Sequence, residues 1–330
     1  MKRCWLGLVL LLAALLPGMV QAQSVTASAP EDQTSCIAPA QPEGGFDLTC
    51  RVITEALNAA AILPRPMQRN FLPGGVGAVA FNAMTGPRAA EAGTLVAFSE
   101  GTIYNLVRGS FGDHDIGDVR WLAQVAQDYG AIVVRADAPW ADLPALLATA
   151  RDNPQSVAFG GGGTIGGQDW MRAAMTAELS GIDRRKLRFV AFEGAGSCTE
   201  ALLAGFVQAC MNDVGDTRTA MDAGKPLRIL AAFAPQRLPG ALSDIPTARE
   251  QGLALYWPVM RGVYMGAQVS DQDFALWQAR LERVMASPEY AQILRRYHLQ
   301  PQPLTGAALR DEILGMAQDA RDRLARLGTP

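Results

Sequence analysis

The sequence predicts an α/β fold with mainly parallel sheets, and three observations carry the prediction. Short β-rich runs alternate with helical patterns along the chain, and glycines gather where a run hands over to a helix. About 300 residues remain after an apparent leader, enough for one large domain or two medium ones. Strands alternating with helices imply βαβ units rather than meanders or bundles.

The first expected strand, 36–40, ends on Pro42-Glu43-Gly44-Gly45, with Asp47 just inside the helix that follows. Strand 67–72 runs into Pro73-Gly74-Gly75-Val76-Gly77, and strand 94–98 into Ser99-Glu100-Gly101. Runs 121–127 and 131–135 precede a helical pattern at 143–150. Strand 156–159 ends on the glycine tract 160–167, before a helix at 168–179. Strand 187–192 ends on Glu193-Gly194-Ala195-Gly196-Ser197, before a helix at 199–205. Strands 207–211, 227–233 and 259–265 complete the set, and two long helices, 271–286 and 307–326, close the chain. In a parallel α/β sheet the five glycine turns share the carboxyl edge of the strands, where ligands bind. Glycine admits close backbone approach, and each helix start offers unpaired N–H groups with a partial positive charge. Several converging starts bind an anion without any lysine.

Met1-Lys2-Arg3, the apolar run Leu6 to Leu16 and the small residues up to Ala22 read as a signal peptide, residues 1–22, cleaved after Ala22. The competing transmembrane anchor fails on length, because a span needs about 20 apolar residues. Cys4 precedes the apolar run, which argues against a lipoprotein. Loss of Lys2 and Arg3 takes the formal charge from −3 to −5. No basic run or interleaved aromatic stripe marks a nucleic-acid surface. Cys36, Cys50, Cys198 and Cys210 are left in an oxidising compartment, which favours disulfides. Cys198 and Cys210 flank a helix of about 12 Å and a returning strand of about 10 Å, so they should meet. Cys36–Cys50 follows by elimination, although the same arithmetic suits it less well. With no CxxC and both histidines far from any cysteine, neither a metal nor a cofactor is expected.

Two enzyme readings compete. Gly161-Gly162-Gly163-Thr164-Ile165-Gly166 fits GxGxxG, with Glu193 closing the next strand, but so glycine-rich a tract matches that pattern easily. Ala97-Phe98-Ser99-Glu100-Gly101 resembles a nucleophile elbow, which makes an exported serine hydrolase with Ser99, Asp213 and His298 the main alternative. His114 and His298, the two histidines of the chain, sit in polar surroundings that suit surface residues.

Six stretches in order carry a resemblance: IAPAQPEGGFDLTCR, NFLPGGVGAVAFN, SVAFGGGGTIGGQDW, LRFVAFEGAGSCTEALLAG, RLPGALSDIPTAREQGL and WPVMRGVYMG. Together they resemble the TctC-type substrate-binding proteins of tripartite tricarboxylate transporters, within the wider Bug family, from Cys36 to the C-terminus. The resemblance implies a two-domain Venus-flytrap, type II-like, working as a periplasmic, monomeric, non-catalytic receptor for a small carboxylate, citrate first. It implies large and small membrane subunits as partners, and for some relatives a sensor kinase. Domain 1 would be 30–128 plus 236–330 and domain 2 would be 129–235, with crossovers near Tyr129–Gly130 and Phe233–Leu238.

Carried over by position, the ligand contacts implied by the resemblance are Gly44, Gly45, Phe46 and Asp47 in the first loop, then Ser99. Thr164, Gly166, Gly167 and Gln168 follow, where many relatives carry Ser-Ser-His, and then Gly194, Ala195, Gly196 and Asp213. Asp47 also suits a plain helix-cap role. Arg261 is the expected guanidinium partner for a tricarboxylate, set against an ordinary surface salt bridge. Arg51 lies near the first loop, where arginine often only packs its stem.

Overall fold

The computed structural model describes residues 33–327; the expected signal peptide and Cys4 lie outside them. The first lobe opens with β1 (Ser35–Ala38), α1 (Gly45–Ala59), β2 (Gln68–Phe71), α2 (Ala78–Thr85), β3 (Thr94–Ser99) and α3 (Glu100–Val107). β4 (Arg120–Arg135) then crosses into the second lobe. That lobe holds α4 (Leu143–Asp152), β5 (Ala158–Gly162), α5 (Gln168–Leu179), β6 (Arg188–Phe192), α6 (Ala195–Leu203), β7 (Ala209–Asp213), α7 (Val214–Asp222) and β8 (Leu227–Ala232). The chain returns through β9 (Pro258–Met265), α8 (Asp271–Met285), α9 (Pro288–Arg296), β10 (Leu304–Thr305) and α10 (Gly306–Leu327).

The sheet order β2-β1-β3-β9-β4-β7-β5-β6 runs through both lobes, with β8 and β10 also paired to β4. The outer strands are parallel: β1 with β2 and β3, and β5 with β6 and β7. Where the lobes join, β9 returns antiparallel to β3 and β4, and β4 runs antiparallel to β7 and β8. Two expected strands, 121–127 and 131–135, are therefore one. Its first part, to Tyr129, pairs with β9, and from Gly130 onward it pairs with β7 and β8. Helices cover both faces of each half. One core cluster packs α1, α8 and α9 on the first half, and α2, α3 and α10 cover its other face.

The glycine tract differs from its sequence reading. Gly160, Gly161 and Gly162 are strand residues of β5, not turn residues. A Cβ at Gly160 would lie 2.6 Å from Cys198 Sγ, and one at Gly161 2.6 Å from Asp169 Cβ. Glycine is needed there because α5 and α6 pack directly onto the strand. α6 begins at Ala195, four residues before its expected start, and ends in a Schellman-type turn: Gly205, at φ +81°, and Phe206 donate back to Leu202 and Ala201. Both disulfides form, Cys36–Cys50 and Cys198–Cys210.

Candidate functional site

Three helix starts meet between the lobes without a side-chain cap: α1 after Gly44, α5 after Gly167 and α6 after Gly194. The first intrahelical bonds run to the Gly44, Gly167 and Gly194 carbonyls from Leu48, Met171 and Cys198. The three N–H groups ahead of each donor therefore have no acceptor within their own helix. α3 differs, because Ser99 caps it: its Oγ accepts the Gly101 N–H at 3.2 Å.

A front cavity of about 80 Å³ opens among these helix starts, room for a handful of waters at about 10–15 Å³ each. Gly45, Phe46, Ser99, Gly167, Gln168, Gly194, Ala195, Asp213 and Arg261 line it. Gly44, Asp47 and Gly196 line instead an adjoining cavity of about 90 Å³ between α1, α6 and α7. Thr164 and Gly166 line neither. Thr164 Oγ1 accepts from Arg108 Nη1 at 3.0 Å, and Gly166, at φ +81°, leaves no room for a Cβ beside that guanidinium.

Asp47, in the first turn of α1, is buried and ties down the loop ahead of the helix rather than facing a ligand. Its Oδ2 accepts the Glu43 N–H at 3.0 Å, and its oxygens pair with Arg51 and Arg69 at 3.0 and 3.1 Å. Arg51 is thereby occupied at the helix rather than free for a ligand.

Arg261 stands directly across from Ser99 in the β3–β9 ladder. It is 1% exposed, which removes the surface salt bridge from consideration. Nε donates to Asp128 Oδ2 at 3.1 Å, and Nη2 donates to the same oxygen and to Asp213 Oδ2 at 3.1 Å. Asp213 Oδ1 in turn accepts from Arg172 Nη1 at 2.7 Å, and Arg172 reaches Asp169 at 3.1 Å. The cavity floor is thus a chain of alternating charge, Asp128–Arg261–Asp213–Arg172–Asp169, drawn from both lobes. Burial would lower the Arg261 pKa, but the charges of Asp128 and Asp213 raise it. Burial pushes Asp169 up to about 7 against the pull of Arg172, and raises Asp128 despite Arg261. Asp216 behind them rises well above the usual range, through burial and the Asp213 charge. Gly45 completes the arrangement: a Cβ there would lie 2.2 Å from Arg261 Nη1.

Asp128, Asp169, Arg172, Asn105 and Asn212 join the site without a sequence expectation. One sequence signal could have found two of them, since Asp169 and Arg172 stand one helical turn apart behind the glycine tract. The lobes also touch across the cleft. Lys225 Nζ meets Glu43 at 2.5 Å, Arg108 meets Thr164, and Glu193 Oε1 accepts N–H groups of Gly74 and Val76 at 2.9 and 3.3 Å. The hydrolase triad does not assemble: Ser99 Oγ caps a helix, Asp213 pairs with two arginines, and His298 Nε2 lies 2.6 Å from Asp222. Among the described residues no group of three or more His, Cys, Asp or Glu could hold a metal ion.

The family model described as a tripartite tricarboxylate transporter family receptor matches residues 54–326. A UPF0065 protein from the gbd 5′ region of Cupriavidus necator is 22% identical over 296 residues, covering 89% of this chain and 87% of that protein. Malate-bound MatC of Rhodopseudomonas palustris superposes with TM-score 0.72 at 19% identity, covering 89% of this chain and 97% of that one. An adipate-bound protein of R. palustris gives TM-score 0.80 at 17% identity, covering 90% and 97%. The periplasmic binding protein BugD gives 0.80 at 15%, covering 90% and 98%. These structures share the two-lobed binding-protein fold with this chain.

Proposed function

The chain belongs to the tripartite tricarboxylate transporter family of receptors, and from that premise we propose that its cleft captures a small dicarboxylate or tricarboxylate in the periplasm. The closed form then presents the acid to the large and small membrane subunits of a transporter. The reading takes the protein as a monomer freed of its leader at Ala22. Its lobes are 30–128 plus 236–330 and 129–235, and they close about the strand crossovers near Tyr129–Gly130 and Phe233–Leu238.

One observation carries this reading: the uncapped starts of α1, α5 and α6 meet at a single cavity. Each such start favours a nearby anion by about 0.3–1 kcal/mol, more when partly buried. The N–H groups supply directed hydrogen bonds that water would otherwise fill. Citrate is the acid the sequence resemblance points to, with Arg261 as the partner of its third carboxylate. That guanidinium is already balanced by Asp128 and Asp213, so a dicarboxylate suits the cleft better. Malate and adipate are bound by two of the structural neighbours, which supports the same class.

The test is a thermal-shift series on the mature protein with dicarboxylates, tricarboxylates and the corresponding esters. A ligand bound by the folded state alone stabilises it by RT ln(1 + [L]/Kd), about 2.7 kcal/mol at a hundredfold excess over Kd. Free acids should raise the melting temperature and neutral esters should not. A series in which no carboxylate acts at millimolar concentration would refute the receptor reading.

A further inference from the structure

The loop between β2 and α2 has a strained backbone. Gly74, Gly75, Val76 and Gly77 carry φ of 137°, 59°, 52° and 104°. Glycine tolerates positive φ, but a β-branched residue such as Val76 does not, so its neighbours must hold it there. Residues in such a run can turn their N–H groups toward one side and cup an anion. The cup is filled by the protein itself. Glu193, from the opposite lobe, places Oε1 2.9 Å from the Gly74 nitrogen and 3.3 Å from that of Val76.

The position of this contact matters more than its strength. Glu193 directly follows β6 and precedes Gly194, the residue at the N-cap of the uncapped α6. Val76 and Gly194 both form part of the front cavity wall. A second carboxylate site, built from peptide N–H groups, therefore lies beside the cavity and already holds a carboxylate.

We propose that Glu193 is a specificity-determining residue. Its carboxylate occupies the place where the far carboxylate of a longer acid would bind, and so confines the receptor to short ligands. The same two N–H groups cannot serve both carboxylates. A long acid must expel Glu193 and then face its charge, whereas a short acid held at the helix starts leaves it in place. This inference rests on the carboxylate-receptor reading above.

The test titrates wild type, Glu193→Ala and Glu193→Gln by calorimetry with malate and adipate, four-carbon and six-carbon dicarboxylates. Wild type should prefer malate. The alanine variant should move the adipate-to-malate affinity ratio about tenfold toward adipate, the worth of a charge-assisted hydrogen bond at the low end of its range. The glutamine variant loses the charge but keeps an oxygen in the cup, so its ratio should move in the same direction but less than that of the alanine variant. If the alanine variant does not fold, Glu193→Ser repeats the comparison. Equal shifts of both acids in the small-residue variant would overturn the proposal while leaving the receptor reading intact. Binding of neither acid by wild type would sink both.

Discussion

Replacing Arg261 by methionine tests whether the guanidinium holds the cleft floor together. Methionine keeps much of the apolar stem and removes the charge. Arg261 and Asp128 are each 1% exposed at the side chain, and Asp213 is 12% exposed. The change therefore leaves the buried Asp128 without its ion-pair partner and Asp213 with Arg172 alone. Breaking a buried pair from one side costs about 3–5 kcal/mol, a large part of the roughly 5–15 kcal/mol that a protein has. The cost should depend on pH. Burial already raises Asp128, and Arg261 is the group that pulls it down. Without the arginine, folded Asp128 holds its proton more tightly than the unfolded chain does. That proton binding favours the folded state below the ordinary carboxylate pKa of about 4 and is lost as pH rises through the raised value. Urea unfolding at pH 5 and pH 8, followed by tryptophan fluorescence and far-UV circular dichroism, measures the effect. We expect a loss of about 3–5 kcal/mol at pH 8 and a smaller one at pH 5. A loss under about 1 kcal/mol at pH 8, the worth of a surface pair, would refute the reasoning.

Two further outcomes follow from the same geometry. Gly45→Ala drives a Cβ into a guanidinium pinned on its far side by two aspartates. It should weaken carboxylate binding at least about tenfold, or 1.4 kcal/mol, by calorimetry, and unchanged affinity would show that the Arg261 position is irrelevant to capture. Glu100 is pushed up to about 7 by burial, with Arg323 pulling the other way. Its extra proton in the folded state stabilises below the unfolded carboxylate pKa and fades as pH rises through 7. The stability of Glu100→Gln relative to wild type should therefore rise from pH 5 to pH 8 in urea titrations, because wild type alone loses the proton's contribution; a relative fall contradicts the assigned burial.

The rim of the cleft is legible in the sequence because local chemistry writes it. Gly44-Gly45 and Gly194-Ala195-Gly196 announce tight starts of helices, and a helix start brings its own N–H groups. The Cys198–Cys210 pairing is legible for a similar reason, since one helix out and one strand back returns the chain to its origin. The floor is not legible. Arg261 meets Asp128 across 133 positions and Asp213 across 48. Those meetings exist because β9 inserts between β3 and β4, a strand order that no local pattern encodes. Gly160–Gly162 mislead for the opposite reason. Glycine composition signals a turn, whereas here the absent side chains let α5 and α6 lie against the strand.

The two disulfides have a mechanical consequence. Cys50 stands in the second turn of α1 and is tied to β1, while Cys198 stands in the first turn of α6 and is tied to β7. Each lobe thus rivets one amide-bearing helix end to its own sheet. The amides are fixed in place when the thiols oxidise, so a docking acid has little left to order and loses less affinity to entropy. In a reduced chain the starts of α1 and α6 would be held to their sheets by packing alone.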